Sequence, residues 1–332
     1  MKNKSKIIDP LNYQLIAEDL QNPSTYEPFL KDLTDIPAAD PLHPVNISKA
    51  GIHNQSVYIT IEDIENKKEF VPLLCNVSVS TNLTTTRGVH MSRFLQAIFS
   101  LSTKKFHSLD DFSSELAQTV RELQGSQIGV AEVTGTYLHK TLTKKTQQLS
   151  MDKLQLISNA TVTEKDVKVK TGMEVYNLTA CPCTRTFTKY SVVPELQKMG
   201  LTIEQINQIL DMSLSGTHTQ RGVTTLLLDK ESADINHTSI YNILNNSVHM
   251  IYELLKRPDE HDLVLRALKK PQFTEDVARE VAFNTYQQFN DVVSSDAKLY
   301  AKSILFDSIH IHDVQTVVEN TFGELKKELA GK

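Results

Sequence analysis

The sequence predicts an α+β fold of two tandem ββααββ modules, with antiparallel sheets and the helices gathered on one face. Three observations carry that expectation. Strand-like segments come in pairs, two amphipathic helical segments follow each pair before two further strands, and the whole order occurs twice. At 332 residues the chain also exceeds the usual single-domain size, which favours two modules.

The first thirty or so residues and the stretch DIPAADPLHP are rich in proline and acidic residues with weak periodicity, which predicts an arm and linker over residues 1–44. The first module then occupies residues 45–163. Its segments GIHNQSVYITIEDIE and EFVPLLCNVSVSTNL flank the polar turn NKKE, and their β-branched and aromatic content suits a hairpin. SRFLQAIFSL is strongly apolar, and LDDFSSELAQTVREL sets Phe112, Leu116, Val120 and Leu123 along one helical stripe. IGVAEVTGTYLHKTLT and MDKLQLISNATVT alternate enough to be strands.

The second module, residues 164–332, opens with DVKVKTGMEVYNLTA, is interrupted by an inserted helical stretch from Val193 to Met212, and resumes at TQRGVTTLLLD. SIYNILNNSVHMIYELLKR places Ile240, Ile243, Leu244, Val248, Ile251, Leu254 and Leu255 on one side of a helix that Pro258 ends. FTEDVAREVAFNTYQQF is the next helix. AKLYAKSILF and VQTVVENTFGEL close the module as strands, the last readable as helical too. Short connections predict one continuous sheet, and exposed sheet edges predict pairing with other copies in a homo-oligomer.

Composition narrows the function. The formal net charge of −5, without a basic stripe, argues against non-specific nucleic-acid binding. No apolar run approaches the length that crosses a bilayer, and MKNKSKIIDPLNYQ turns polar too soon for a secretory signal. Cys75, Cys181 and Cys183 are too few for a disulfide framework, which points to a reducing cytoplasm and free thiols. An anionic small molecule remains open as a ligand class, with Arg87, Arg93 and Arg221 in TTTRGVHMSR and HTQRG as the local cations.

TACPCTRTF is the most informative short stretch, since Cys-Pro-Cys at a strand end presents two thiols from a stiff turn. A structural zinc site needs a second ligand pair that this chain lacks, so a site of one cysteine, one or two histidines and a carboxylate would leave a coordination position for water. The alternative reading of Cys181 and Cys183 is small apolar filling, and Cys75 within FVPLLCNVSV reads as core. His218 follows a Ser-Gly turn at a strand start. In SIHIHD, alternation within an extended segment puts His310 and His312 on one face with Asp307 and Asp313 beside them. Two carboxylates stand out: Glu260, just past a helix end in LLKRPDEHD, and Glu275, in the first turn of FTEDVARE, where its default role is to offset the helix dipole.

Together RGVHMSRF, ACPCTR, GTHTQRG, LLKRPDE, FTEDVARE and SIHIHD resemble the motifs of the type IB GTP cyclohydrolases, a branch of the tunnelling-fold enzymes, in that family's order from Arg87 to Asp313. The resemblance implies a tunnelling fold (T-fold) assembled as a homotetramer around a tunnel, with active sites near subunit interfaces. It places a metal, Zn²⁺ or else Mn²⁺ or Fe²⁺, on Cys181, His218 and Glu260. It assigns Glu275 to the guanine N1–H and exocyclic amine, and sets Cys183, His310 and His312 along the site. Where the family pattern reads Glu-Ser-Ile-His this chain has Asp307, one methylene shorter.

The implied reaction is hydrolytic opening of the GTP imidazole ring at C8, giving formate and 7,8-dihydroneopterin triphosphate, the first step of tetrahydrofolate synthesis. His310 or His312 would move the protons, with Arg87, Arg93 and Arg221 on the triphosphate. The rival readings are a tunnelling-fold nitrile reductase with Cys183 or Cys181 as nucleophile, and a non-catalytic purine- or zinc-binding protein. Metal content, NADPH consumption and formate release separate the three.

Overall fold

The computed structural model describes residues 35–212 and 215–331. The first half contains β1 (Ile47–Glu62), β2 (Phe70–Leu83), α1 (Met91–Ser102), the two-residue β3 (Lys105–Phe106), α2 (Leu109–Gln124), β4 (Ile128–Leu142) and β5 (Leu149–Thr163). The second contains β6 (Val167–Ala180), three short helices α3 (Pro182–Ser191), α4 (Val193–Lys198) and α5 (Ile203–Met212), then β7 (Thr219–Asp229), α6 (His237–Ser247), β8 (His249–Met250), α7 (Arg257–Lys269), α8 (Thr274–Phe289), β9 (Lys298–Leu305), β10 (Val314–Thr321) and α9 (Phe322–Ala330).

Every long strand joins one antiparallel sheet in the order β10-β9-β7-β6-β5-β4-β2-β1, with β3 parallel to β1 at the edge. The halves are fused by β5 and β6, which pair from Val162↔Val167 to Gln155↔Glu174 across the turn at residues 164–166. Period-two alternation decides which face is covered. Leu154, Leu156, Ala160 and Val162 of β5 are buried, while Met151 and Leu149 on the other face are exposed. The covering layer is α1 and α2 over the first half and α6 and α8 over the second. Phe112, Leu116 and Val120 form the expected stripe of α2, and burying each such side chain contributes roughly 1.5–3 kcal/mol. Ser108 caps that helix by accepting from Asp111 N, and Gly125, at φ 63°, ends it in the left-handed conformation.

Four local expectations are corrected. The helix expected to run to Pro258 stops at Ser247. The β5–β6 ladder ends at Glu174, so the backbone of residues 176–178 on that side of β6 needs partners. His249 and Met250 supply them by pairing with Leu178 and Asn177, and Ile251 N donates to Tyr176 O at 3.1 Å. The apolar residues after 247 therefore reflect sheet contacts. Pro258 opens a helix instead of ending one, because a residue without an N–H loses nothing in a first turn, and Glu260 consequently lies inside α7. The insertion between β6 and β7 is helical from Pro182, earlier than Val193. VQTVVENTFGEL divides at Thr321, whose hydroxyl accepts from Glu324 N and starts α9.

Of the arm expected over residues 1–44, residues 1–34 lie outside the described residues. The remainder of it includes a short turn at Ile36–Ala38, held by Arg87 N to Ala39 O at 2.8 Å and Gly88 N to Pro37 O at 3.0 Å.

Candidate active site

β6, β7 and β9 finish together at one end of the sheet, through the pairs Ala180↔Thr219 and Gly222↔Leu305. Cys181 is the first residue past β6 and the N-cap of α3, with Pro182 behind it setting the helical φ. Its Sγ accepts from Thr184 N at 3.5 Å, its N–H donates to His218 O at 3.2 Å, and its carbonyl accepts from Thr217 Oγ1 at 3.0 Å. Two strand ends thus hold Cys181 and His218 beside each other, both half-buried. Cys183 sits in the first turn of α3 and is exposed.

The β9–β10 connection closes over this end. Phe306 N donates to Arg221 O at 2.9 Å, and Ser308 Oγ lies 3.4 Å from His218 Nδ1. Asp307 Oδ1 accepts from Ile309 N at 2.8 Å and His310 N at 3.3 Å, an Asx turn. The segment is therefore a looped turn, not the extended segment expected from SIHIHD. His310 and His312 still come together, with ring centroids 5.1 Å apart. The amide of Ile309, against the effect of burial and with help from His310, holds the Asp307 carboxyl down at about 2. A carboxylate only accepts, so Asp307 Oδ2, 3.2 Å from His310 Nδ1, requires the proton on Nδ1, which in the neutral ring leaves the lone pair on Nε2.

Glu275 reaches the same end from the helix layer. Gln272 N donates to Ala180 O at 3.2 Å and Thr274 Oγ1 to Ser303 O at 3.2 Å, so the first turn of α8, with Thr274 buried and Glu275 exposed, abuts the ends of β6 and β9. Arg221 is exposed on the uncovered face of β7. Cys181, Cys183, His218, Arg221, Glu275, His310 and His312 accordingly share one end of the sheet.

Three expected residues stand apart. Glu260 is exposed near the N-terminus of α7, while it is the stretch after that helix, at Gln272, that meets Ala180. Among the described residues no three His, Cys, Asp or Glu side chains lie close enough to hold a metal ion. The donor types of Cys181, His218 and Glu260 suit zinc, and the first two converge; the carboxylate is offered from a separate element. Arg87 and Arg93 follow β2 at the opposite end of the sheet, the length of β6 away, roughly 40 Å at 3.3 Å per residue. Arg93 Nη1 donates to Leu123 O at 3.0 Å there, beside a cavity of about 390 Å³ that Thr84, Thr85, Thr86, His90 and Ser126 also line.

Sequence reasoning missed the support beneath the site. Asn177, Thr179, Gln220, Thr224 and Ser303 are buried under the helices, linked by Gln220 Nε2 to Thr179 Oγ1 and Thr224 Oγ1 to Asn177 Oδ1, each 3.0 Å. The signal was present as polar residues at alternate, inward-facing positions of apolar strands. Cys75 is core as expected, and burial pushes its thiol up to about 12.

Comparison with known proteins gives the family. GTP cyclohydrolase MptA of Methanococcus aeolicus is 30% identical over 309 residues, covering 89% of this chain and 99% of that protein. The protein of that name from Methanocaldococcus jannaschii is 27% identical over 308 residues, covering 89% and 97%. A uricase from Arthrobacter globiformis superposes with a TM-score of 0.45 at 7% identity over 82% of this chain and 93% of its own. Residues 33–316 match the family described as Type I GTP cyclohydrolase folE2, and the chain belongs to that family.

Proposed function

We propose that this protein opens the guanine imidazole ring of GTP at C8, releasing formate and yielding 7,8-dihydroneopterin triphosphate for pterin synthesis such as that of tetrahydrofolate. The observation that carries the reading is the convergence of Cys181, His218, Glu275 and the Asp307-oriented His310 at one sheet end. Cys181 and His218, with Glu260 as the third donor, are offered to a divalent ion, zinc first and manganese or iron as alternatives. When bound, such an ion supplies a water acidic enough to ionise near neutral pH and charge to stabilise developing anions.

The chain's own residues do the rest. Glu275 accepts from both N1–H and the exocyclic amine of guanine, a bidentate pattern adenine does not offer. His310, its Nδ1–H held by Asp307, keeps Nε2 free to accept or return a proton at the departing ring nitrogen, and His312, its ring tilted 31° to that of His310 at 5.1 Å, is a second carrier. Cys183 lines the approach from α3. Arg221 serves the triphosphate from the same chain. Arg87 and Arg93 serve it only from a second copy, since one GTP cannot bridge the length of β6; a homotetramer with sites between subunits would supply that copy.

Incubation with GTP, assayed for formate and a fluorescent oxidised pterin, tests the reaction, alongside metal analysis of protein purified without chelator. Cys181→Ala and His218→Ala should lose metal and turnover together, whereas Glu275→Ala should keep metal and lose GTP affinity by at least about tenfold, one bidentate contact's share. A metal-free protein that consumes NADPH would replace this reading with the cysteine-nucleophile nitrile reductase.

A further inference from the structure

We propose that Gln272 is a positioning residue for Glu275: one buried residue ties the end of β6 to α8, and so sets where the guanine anchor stands relative to Cys181. The proposal rests on the reading of Glu275 as that anchor.

Glu275 does not place itself. It is exposed, and among the described residues its carboxylate has no hydrogen-bond or ion-pair partner, so the backbone of the first turn of α8 decides where it stands. Guanine is a rigid plane. Once its N1–H and exocyclic amine are held at one edge, the place of C8 at the other is fixed, and the anchor must stand at a set span from the residues that act there.

The chain reaches that turn from α7, whose start is fixed to the hairpin tip between β4 and β5, where Asp259 Oδ1 accepts from Lys145 N at 2.9 Å and Thr146 N at 3.1 Å. Only residues 270–273 then separate α7 from α8. His249 Nε2 donates to Lys270 O at 3.1 Å, and Lys270 Nζ bonds to Glu280. Gln272 is only 3% exposed and is held from both ends. Its backbone N–H donates at 3.2 Å to the carbonyl of Ala180, the residue before Cys181, while its side-chain Nε2 donates at 2.7 Å to Glu280 Oε2, on α8 itself. Its Oε1 has no partner among the described residues. An apolar side chain of the same length would avoid that unmet acceptor, so packing alone does not call for the amide here. Thr274 makes the matching tie to β9 through Ser303 O. The first turn of α8 is thereby referenced to two strands, and Gln272 supplies the tie to the strand that continues into Cys181.

The test reads binding on the full chain, as displacement of a ribose-labelled fluorescent GTP by GTP and by inosine triphosphate, which lacks the exocyclic amine; circular dichroism and urea unfolding verify the fold. Gln272→Met keeps the length of the side chain and removes its amide. It should unfold at an unchanged or higher urea concentration and lower the preference for GTP over inosine triphosphate about five- to tenfold, within the share of one bidentate contact. Glu280→Gln keeps an oxygen for Gln272 Nε2 and should retain the preference, whereas Glu280→Leu should reproduce the loss. Glu275→Ala should abolish the preference. Folded Gln272→Met with the wild-type preference, beside a Glu275→Ala that has lost it, overturns the positioning role and leaves the anchor reading intact. Equal weakening of both nucleotides by Gln272→Met overturns it too, since that is what a merely structural defect gives. A Glu275→Ala that keeps the preference overturns the anchor reading, and the positioning proposal with it. Should Gln272→Met not fold, Glu280→Leu decides: a preference lowered several-fold supports the proposal and an unchanged one defeats it.

Discussion

The two halves of the sheet repeat one strand order and differ in what lies beneath their helices. Facing α1 and α2 are Leu73, Cys75, Val77 and Val79 of β2 and Ala131 and Val133 of β4. Three polar residues of β5 join them: Ser158, satisfied by Ser113 Oγ and Asp110 Oδ1, each at 2.7 Å, and, near the hairpin tip, Ser150 and Asp152, which bond each other at 2.5 Å. The second half's apolar layer, with Met173, Val175, Leu226 and Leu228 at one end, reaches the site end only through Ala180 and Leu305. Toward the site Asn177, Thr179, Gln220, Thr224 and Ser303 take over, and Asn177 Nδ2, Gln220 Oε1 and Ser303 Oγ have no hydrogen-bond partner among the described residues. The connections differ likewise: a turn at residues 63–69 joins β1 to β2, whereas three helices, the first capped by Cys181, separate β6 from β7. One copy of the unit is spent on packing, and the other gives up part of its packing to polar groups near the chemistry.

The largest expected effect belongs to the first half. Leu116→Ala, at a fully buried position on α2, should cost about 2–5 kcal/mol in urea unfolding. A loss below about 1 kcal/mol would mean the first half is not the better packed one. The pH response is intermediate in size and compares the two loops that end in Asx turns. Asp63 accepts from Glu65 N at 2.9 Å and Tyr137 OH at 2.8 Å, and although burial opposes it, these bonds hold its carboxyl below the ordinary value. Asp307 is held at about 2. Both folded values are depressed, so both contributions are complete above the unfolded value of 3.8 and fade as acid is added. Histidine NMR signals of His310 should move with the loss of its partner only as pH nears about 2; a midpoint near the ordinary carboxylate value of about 4 would show that the Asp307 turn is not formed in solution. The smallest effect is in the polar half. Ser303→Ala removes a buried hydroxyl that has no partner among the described residues, and should change stability by no more than about 0.5 kcal/mol, or raise it. A clear loss would reveal a bound water or contact at Ser303 and erase part of the contrast.

Much of this architecture was legible because it is local. Alternation marked the strands, the stripe Phe112, Leu116, Val120 marked α2, and the thiol and imidazole stand at two strand ends, where Cys-Pro-Cys and the Ser-Gly turn put them. The expectations that failed depended on partners distant in the chain. The end of α6 at Ser247 is decided by unpaired backbone on β6, which no periodicity near residue 247 records. Pro258 is equally at home at the close of one helix and the start of another, and the hairpin that receives Asp259 decides between them. Motif order likewise says nothing of which sheet end a loop occupies. Arg87 and Cys181 are motif neighbours in type, yet strand parity sends them to opposite ends.

The hairpin tip at residues 143–148 has one more consequence, in the order of synthesis. Most strand pairs here join neighbours in the chain, so the first half can pair as it leaves the ribosome. The amides of Lys145 and Thr146 are then finished long before their acceptor, because Asp259 lies 113 residues after Thr146. Until that segment emerges, the nascent chain carries a completed hairpin whose tip donors are met by water, and the docking of α7 closes a gap left open since the first half formed.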